Sequence, residues 1–155
     1  MKLILGLFAL VLVVAIGGKI ATDYFKNNPS PFVKTPVIKI KNQQFKLYIA
    51  KTSQEKQIGL SQKKSIPQEY GMLFPFEKPD YHSFWMKNMQ FPIDIIYIKS
   101  NKIVDIFSSV QPPAKPTDNI EIIKPSEPSD TVLEINQGLS KKYSFQKGDT
   151  VIIEN

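Results

Sequence analysis

From Val37 to the C-terminus, apolar residues recur at every second position in short runs broken by turn-forming residues. Val37-Ile38-Lys39-Ile40-Lys41 and Gln44-Phe45-Lys46-Leu47-Tyr48-Ile49 set the pattern on either side of Asn42-Gln43. A period of two places alternate side chains on opposite faces of an extended strand, so these runs predict a hairpin. Further strands are predicted at Gly71–Phe76, Ser83–Lys87, Ile93–Lys99, Lys102–Ser108, Thr131–Ile135 and Thr150–Glu154, with Ser100-Asn101 joining two of them tightly. Thr52-Ser53-Gln54-Glu55 matches a capping box, a hydroxyl cap followed three residues later by a glutamate. It predicts a short helix ending near Gly59-Leu60. Pro112 to Ser129 carries five prolines and is too long for a simple turn, which predicts a surface wrap or a lid. The fold class expected is mainly β or α+β: a compact, barrel-like mixed sheet with one or two short helices.

The first 36 residues read differently. Leu3 to Gly18 is an uncharged run behind Met1-Lys2, and as a helix its sixteen residues would span about 24 Å. A buried core helix would show a polar face, and this run has none. Residues 1–22 are therefore expected to form an apolar helix acting as a membrane anchor or a signal segment, and residues 23–36 a Pro-rich tether. Residues 37–155 form the β-rich domain. The expected location is the cell membrane, through a single N-terminal pass with the domain outside the cytoplasm; the alternative is secretion after signal cleavage.

Composition removes several chemistries. The chain has no cysteine, which excludes disulfides, thiolate nucleophiles, sulfur-rich zinc sites and a lipoprotein anchor. Its net charge is +6, yet every basic residue is a lysine and the lysines are dispersed. Sequence-reading of nucleic acid relies on forked guanidinium groups and clustered charge, so no nucleic-acid partner is expected.

The segment His82-Ser83-Phe84-Trp85-Met86-Lys87-Asn88-Met89 holds the only histidine and the only tryptophan. On a strand, His82, Phe84, Met86 and Asn88 share one face, and Ser83, Trp85, Lys87 and Met89 the other. His82 and Met86 would lie about 13 Å apart along the strand, too far to share a metal ion, so no metal or cofactor is expected. Phe84 and Met86 read as core. Trp85 reads as a platform for a sugar ring, with Lys87, Asn88, Asp94 and Glu134 lining a polar pocket beside it. Asp94 shares a face with Ile96 and Ile98, and Glu134 with Val132, so both carboxyls are expected to be partly buried, each needing a partner or else taking up a proton. The expected partners of Asp94 are Lys87 or amides of the 87–92 loop. No catalytic residue is assigned; the alternative is a paired-acid hydrolase using Asp94 and Glu134.

Ser83-Phe84-Trp85-Met86-Lys87-Asn88 followed by Phe91-Pro92-Ile93-Asp94-Ile95 closely resembles the signature of the domain-of-unknown-function family 192. Gly59-Leu60, Gly71-Met72-Leu73-Phe74, Val132-Leu133-Glu134, Gly138 and Gly148-Asp149 follow the same order. The chain departs from that pattern at Ile58, Ser61, Met89, Ala114 and Thr131. The resemblance implies a compact β-rich domain, often exported or membrane-tethered, and no particular reaction. The function expected is non-catalytic binding of a small polar or carbohydrate-like ligand or an envelope polymer. A third class is a protein-interaction module that docks an exported partner, of unknown identity, on the Pro-rich loop.

Overall fold

The computed structural model describes residues 35–115 and 118–154. The apolar helix expected over Leu3–Gly18 and nearly all of the tether lie outside these residues. Among the described residues no helix is long and apolar enough to cross a membrane.

The chain runs β1 (Val37–Ile40), β2 (Gln43–Ile49), α1 (Ser53–Ile58), β3 (Tyr70–Asp80), β4 (Phe84–Trp85), β5 (Ile93–Lys99), β6 (Lys102–Val110), β7 (Ile122–Ile123), β8 (Ser129–Asn136), α2 (Leu139–Lys142) and β9 (Val151–Glu154). Seven strands form one mixed sheet in the order β6-β5-β8-β3-β2-β1-β9, while β4 and β7 pair separately. Only β2 and β3 run parallel within the sheet, and that pairing needs the crossover that α1 supplies. Ser100 and Asn101 both adopt left-handed φ, at 48° and 62°, the geometry of a tight two-residue hairpin turn between β5 and β6. The two end strands also meet: Lys102 bridges Thr150, and the Ile103 and Val151 amides donate to the Asp149 and Asn101 carbonyls at 3.0 and 2.9 Å. The sheet is thus curled into a half-barrel.

One core fills the inside of the curl. Ile38, Phe45, Leu73, Ile96, Ile103, Leu133 and Val151 belong to it, one from each of the seven strands. A second core lies on the opposite face, where Met72, Phe74, Ile95, Tyr97 and Val132 are covered by Leu60 and Ile66 after α1, by Met86 just after β4 and by Ile123 of β7. At Gly71 β3 packs closely on β8: a Cβ there would lie 2.9 Å from the Glu134 carbonyl oxygen.

Several expectations shift on inspection. The strand expected at Ser83–Lys87 shrinks to Phe84–Trp85, because its partner is not the main sheet but two residues of the Pro-rich segment. That segment accordingly contributes a strand rather than only wrapping the surface. β3 runs on past Phe76 to Asp80 in spite of Pro75 and Pro79. Its pairing with β2 ends at Leu73, so beyond that point one side of β3 is free of ladder demands and tolerates a missing N–H.

Candidate functional site

The capping box forms as the sequence predicts. The Glu55 amide donates to Thr52 Oγ1 at 3.1 Å and the Thr52 amide to Glu55 Oε2 at 2.7 Å. The helix it starts stops at Gly59, whose φ of 52° suits glycine. The chain then turns so that Leu60 enters the second core, leaving Gly59 against the sheet. A Cβ at Gly59 would stand 3.5 Å from the Phe74 ring and 3.9 Å from Glu134 Oε2. The missing side chain keeps space open above that carboxyl.

This space is a pocket of about 260 Å³. Lys56, Gly59 and Ser61 bound it on the helix side, Phe74 and Phe76 come from β3, and His82, Phe84, Trp85 and Lys87 come from the segment around β4. Glu134 reaches it from β8, which lies between β5 and β3 in the sheet. The aromatic wall is pinned by its own contacts. The Phe84 ring meets Phe74 and Tyr97 edge-on at 5.0 and 5.9 Å, and His82 stacks on Phe76 at 3.5 Å. Tyr97 donates its hydroxyl to the Ile123 carbonyl at 3.2 Å, which ties β7, and through it β4, to the sheet. Burial, helped by the nearby charge of Glu134, holds the Tyr97 phenol well above its ordinary range.

Glu134 is 5% exposed, and its Oε2 has no hydrogen-bond partner among the described residues. Desolvation pushes its pKa up to about 8, and no cation among the described residues offsets that burial. The carboxyl is therefore mainly protonated at neutral pH.

Asp94 is wholly buried but fully engaged. Its Oδ1 accepts from the Ser109 and Gly138 amides at 2.7 and 2.9 Å, and its Oδ2 from the Ser140 amide and hydroxyl at 2.8 and 2.6 Å. The Ser109 donor exists because β6 bulges there. Ile93 pairs with Val110 and Ile95 with Phe107, so Ser108 and Ser109 together oppose Asp94, and Ser109 takes a φ of 57°. The carboxylate thus staples β6 and the start of α2 to β5.

Of the expected ligand-lining residues, Trp85, Lys87 and Glu134 line one pocket. Asn88, at a φ of 61°, lines a neighbouring one of about 170 Å³ with Met89 and Ile120. Asp94 lines neither. Its expected bonds to Lys87 and the 87–92 loop give way to bonds from Ser109, Gly138 and Ser140. The reason is facing. In the ladder Asp94 pairs with Ile135 of the inner core, whereas Lys87 borders the pocket on the other side. The same parity separates the two acids: Ile95, the residue after Asp94, pairs with Glu134 on the outer face. Asp94 and Glu134 stand on opposite faces of the sheet and cannot flank one scissile bond, so the paired-acid arrangement fails.

The alternation expected around Trp85 holds only over residues 85–87, where Met86 is buried and Trp85 and Lys87 are exposed. Asn88, expected on the face of Met86, is exposed, and His82 and Phe84 line the same pocket as Trp85. Sequence reasoning missed Gly59, Phe74 and Phe76 as pocket residues. The signals were present in Gly59 beside the capped helix and in the period of two that puts Met72, Phe74 and Phe76 on one face of β3.

The sequence profile of the domain-of-unknown-function family 192, described as an uncharacterised ACR family, matches residues 36–153. Two solved structures are similar. One is a protein of unknown function from Novosphingobium aromaticivorans DSM 12444, 27% identical with a TM-score of 0.68, the match covering 79% of this chain and 89% of that one. The other, from Sinorhizobium meliloti 1021 and described as a candidate transcription regulator, is 25% identical with a TM-score of 0.67, covering 76% and 91%. No curated protein matches the chain.

Proposed function

The chain belongs to the domain-of-unknown-function family 192, and we propose that its domain is a non-catalytic binding module for a small polar, carbohydrate-like ligand or the exposed end of an envelope polymer. The observation that carries this reading is the unpartnered Glu134 Oε2 at the inner end of an aromatic pocket. A buried polar atom without a partner costs stability, roughly 1–3 kcal/mol, unless something binds it. Sugar sites combine an aromatic plate with a few convergent polar groups. Trp85, 41% exposed, supplies the plate, and Glu134, Ser61, Ser83 and Lys87 supply polar groups around it.

Trp85 is the chain's only tryptophan, so its fluorescence reports the site alone. Titration with a panel of soluble saccharides is expected to give a saturable change, and calorimetry should show that Trp85→Ala abolishes the binding without loss of the folded state. Absence of any saturable response across the panel would sink the reading.

The uncharged run Leu3–Gly18 supports placing this module outside the cytoplasm, tethered to the membrane through residues 23–36. Full-length protein is then expected to stay with membranes through a carbonate wash. A soluble product with a mature N-terminus at Gly18 or Lys19 would instead mark a cleaved signal.

One observation favours a second reading. Trp85 pairs with Ile122 across the β4–β7 ribbon, and both are exposed, Ile122 by 52%. Such a rung suits a protein-interaction module that docks a partner on the Pro-rich segment. Ile122→Lys would abolish partner capture under this reading and leave saccharide titration unchanged under the first.

A further inference from the structure

Glu134 asks for more than a generic polar ligand. Its orphan Oε2 accepts hydrogen bonds readily, and the space kept open by Gly59 ends on it. Phe74, Phe84 and Trp85 line the same pocket, and the electron-rich faces of such rings attract cations within about 6 Å. The pocket's wall already shows this preference, since Lys56 Nζ stands 4.4 Å over the Phe76 ring. A hydroxyl group would satisfy Oε2 but make no use of the rings. An ammonium group would do both, and would supply the countercharge that the described residues do not.

We propose that the ligand of this pocket carries an ammonium group, which enters between Phe84 and Trp85 and forms an ion pair with the Glu134 carboxylate. The inference rests on the binding reading above and names the chemical class it takes, an amino sugar or similar amine. Binding has a defined proton balance: the ligand enters protonated, and the Glu134 carboxyl gives its proton to solvent, leaving one positive and one negative charge in contact. The groups facing Glu134 do not replace this partner. Tyr97 on β5 is neutral, the Gly71–Phe76 stretch of β3 bears no titratable side chain, and Lys56, His82 and Lys87 line the pocket without offsetting the carboxyl's burial.

The test compares glucosamine with glucose on the full-length chain, two probes that differ by an ammonium group in place of a hydroxyl. Trp85 fluorescence gives affinity, calorimetry in buffers of different ionisation heat counts protons, and the Glu134 side-chain carbon resonance reports its charge. At pH 7 glucosamine is expected to bind at least about tenfold more tightly than glucose. It should release close to one proton and shift Glu134 to the ionised form, and Glu134→Gln should lose the preference. Equal affinities, with no proton released, would overturn the ammonium inference and leave the saccharide pocket standing. No response of Trp85 or Glu134 to either probe would overturn both.

Discussion

Asp94 and Glu134 occupy neighbouring strands one register position apart, both are buried carboxyls, and they have opposite fates. Asp94 faces the inner core, where a bulge at Ser109 and the first turn of α2 aim three amides and a hydroxyl at it. Glu134 faces the outer core, where Gly59 withholds a side chain and no donor among the described residues reaches Oε2. The chain spends backbone donors on the first and leaves the second open. A saturated carboxylate has no capacity left for a ligand and holds the fold together. An unsaturated one beside aromatic rings weakens the fold unless a ligand completes it.

The comparison breaks most visibly at Asp94. Asp94→Ala would strand three amides, the Ser140 one buried and those of Ser109 and Gly138 partly so, and is expected to cost about 3 kcal/mol in chemical denaturation. Asp94→Asn should recover little of that, since both oxygens accept and one end of an amide would confront N–H donors. A variant as stable as the parent would show that the staple is dispensable.

Glu134 should respond in the opposite direction. Its folded-state pKa, near 8, lies above the ordinary value of 4.5, so the folded state holds a proton that the unfolded state gives up over that range. Its contribution is fully present below about pH 4.5 and is lost as the pH rises through about 8. Glu134→Gln should remove this dependence and stabilise the protein by a few kcal/mol at pH 9 relative to the parent. Parallel pH–stability curves for the two proteins would contradict this.

Smaller effects sharpen the contrast. Thr52→Ala removes the cap of the helix that carries Gly59 and should cost about 1 kcal/mol, weakening saccharide binding more than the Asp94 side of the sheet, as hydrogen exchange would resolve. Trp85→Ala should cost about 1 kcal/mol, well short of a core truncation, because the residue is 41% exposed, while abolishing the binding. A drop of 3 kcal/mol or more would make Trp85 a core residue instead.

Much of this was legible in the chain. The period of two located β1, β2, β5, β6 and β8, the capping box located α1, and Ser100-Asn101 located a turn. The face-sharing of Asp94 with Ile96 and Ile98, and of Glu134 with Val132, followed from parity alone. What parity within a strand cannot supply is the register between strands. That register, Ile95 opposite Glu134, puts the two acids on opposite faces. The donors to Asp94 come from 15, 44 and 46 residues away, and depend on a bulge that no local pattern announces. The ribbon of β4 with β7 was hidden for a related reason: two residues of a proline-rich segment carry too short a period to read.

The central claim is that Glu134 is a buried, unpaired carboxyl waiting for a partner. Following its side-chain carboxyl carbon by NMR through a pH titration of the ligand-free protein tests that directly. The structure predicts a midpoint near 8, against 4.5 for an ordinary glutamate. A midpoint at or below 4.5 would mean that a donor or a cation already satisfies the group, and the binding-site reading would lose its foundation.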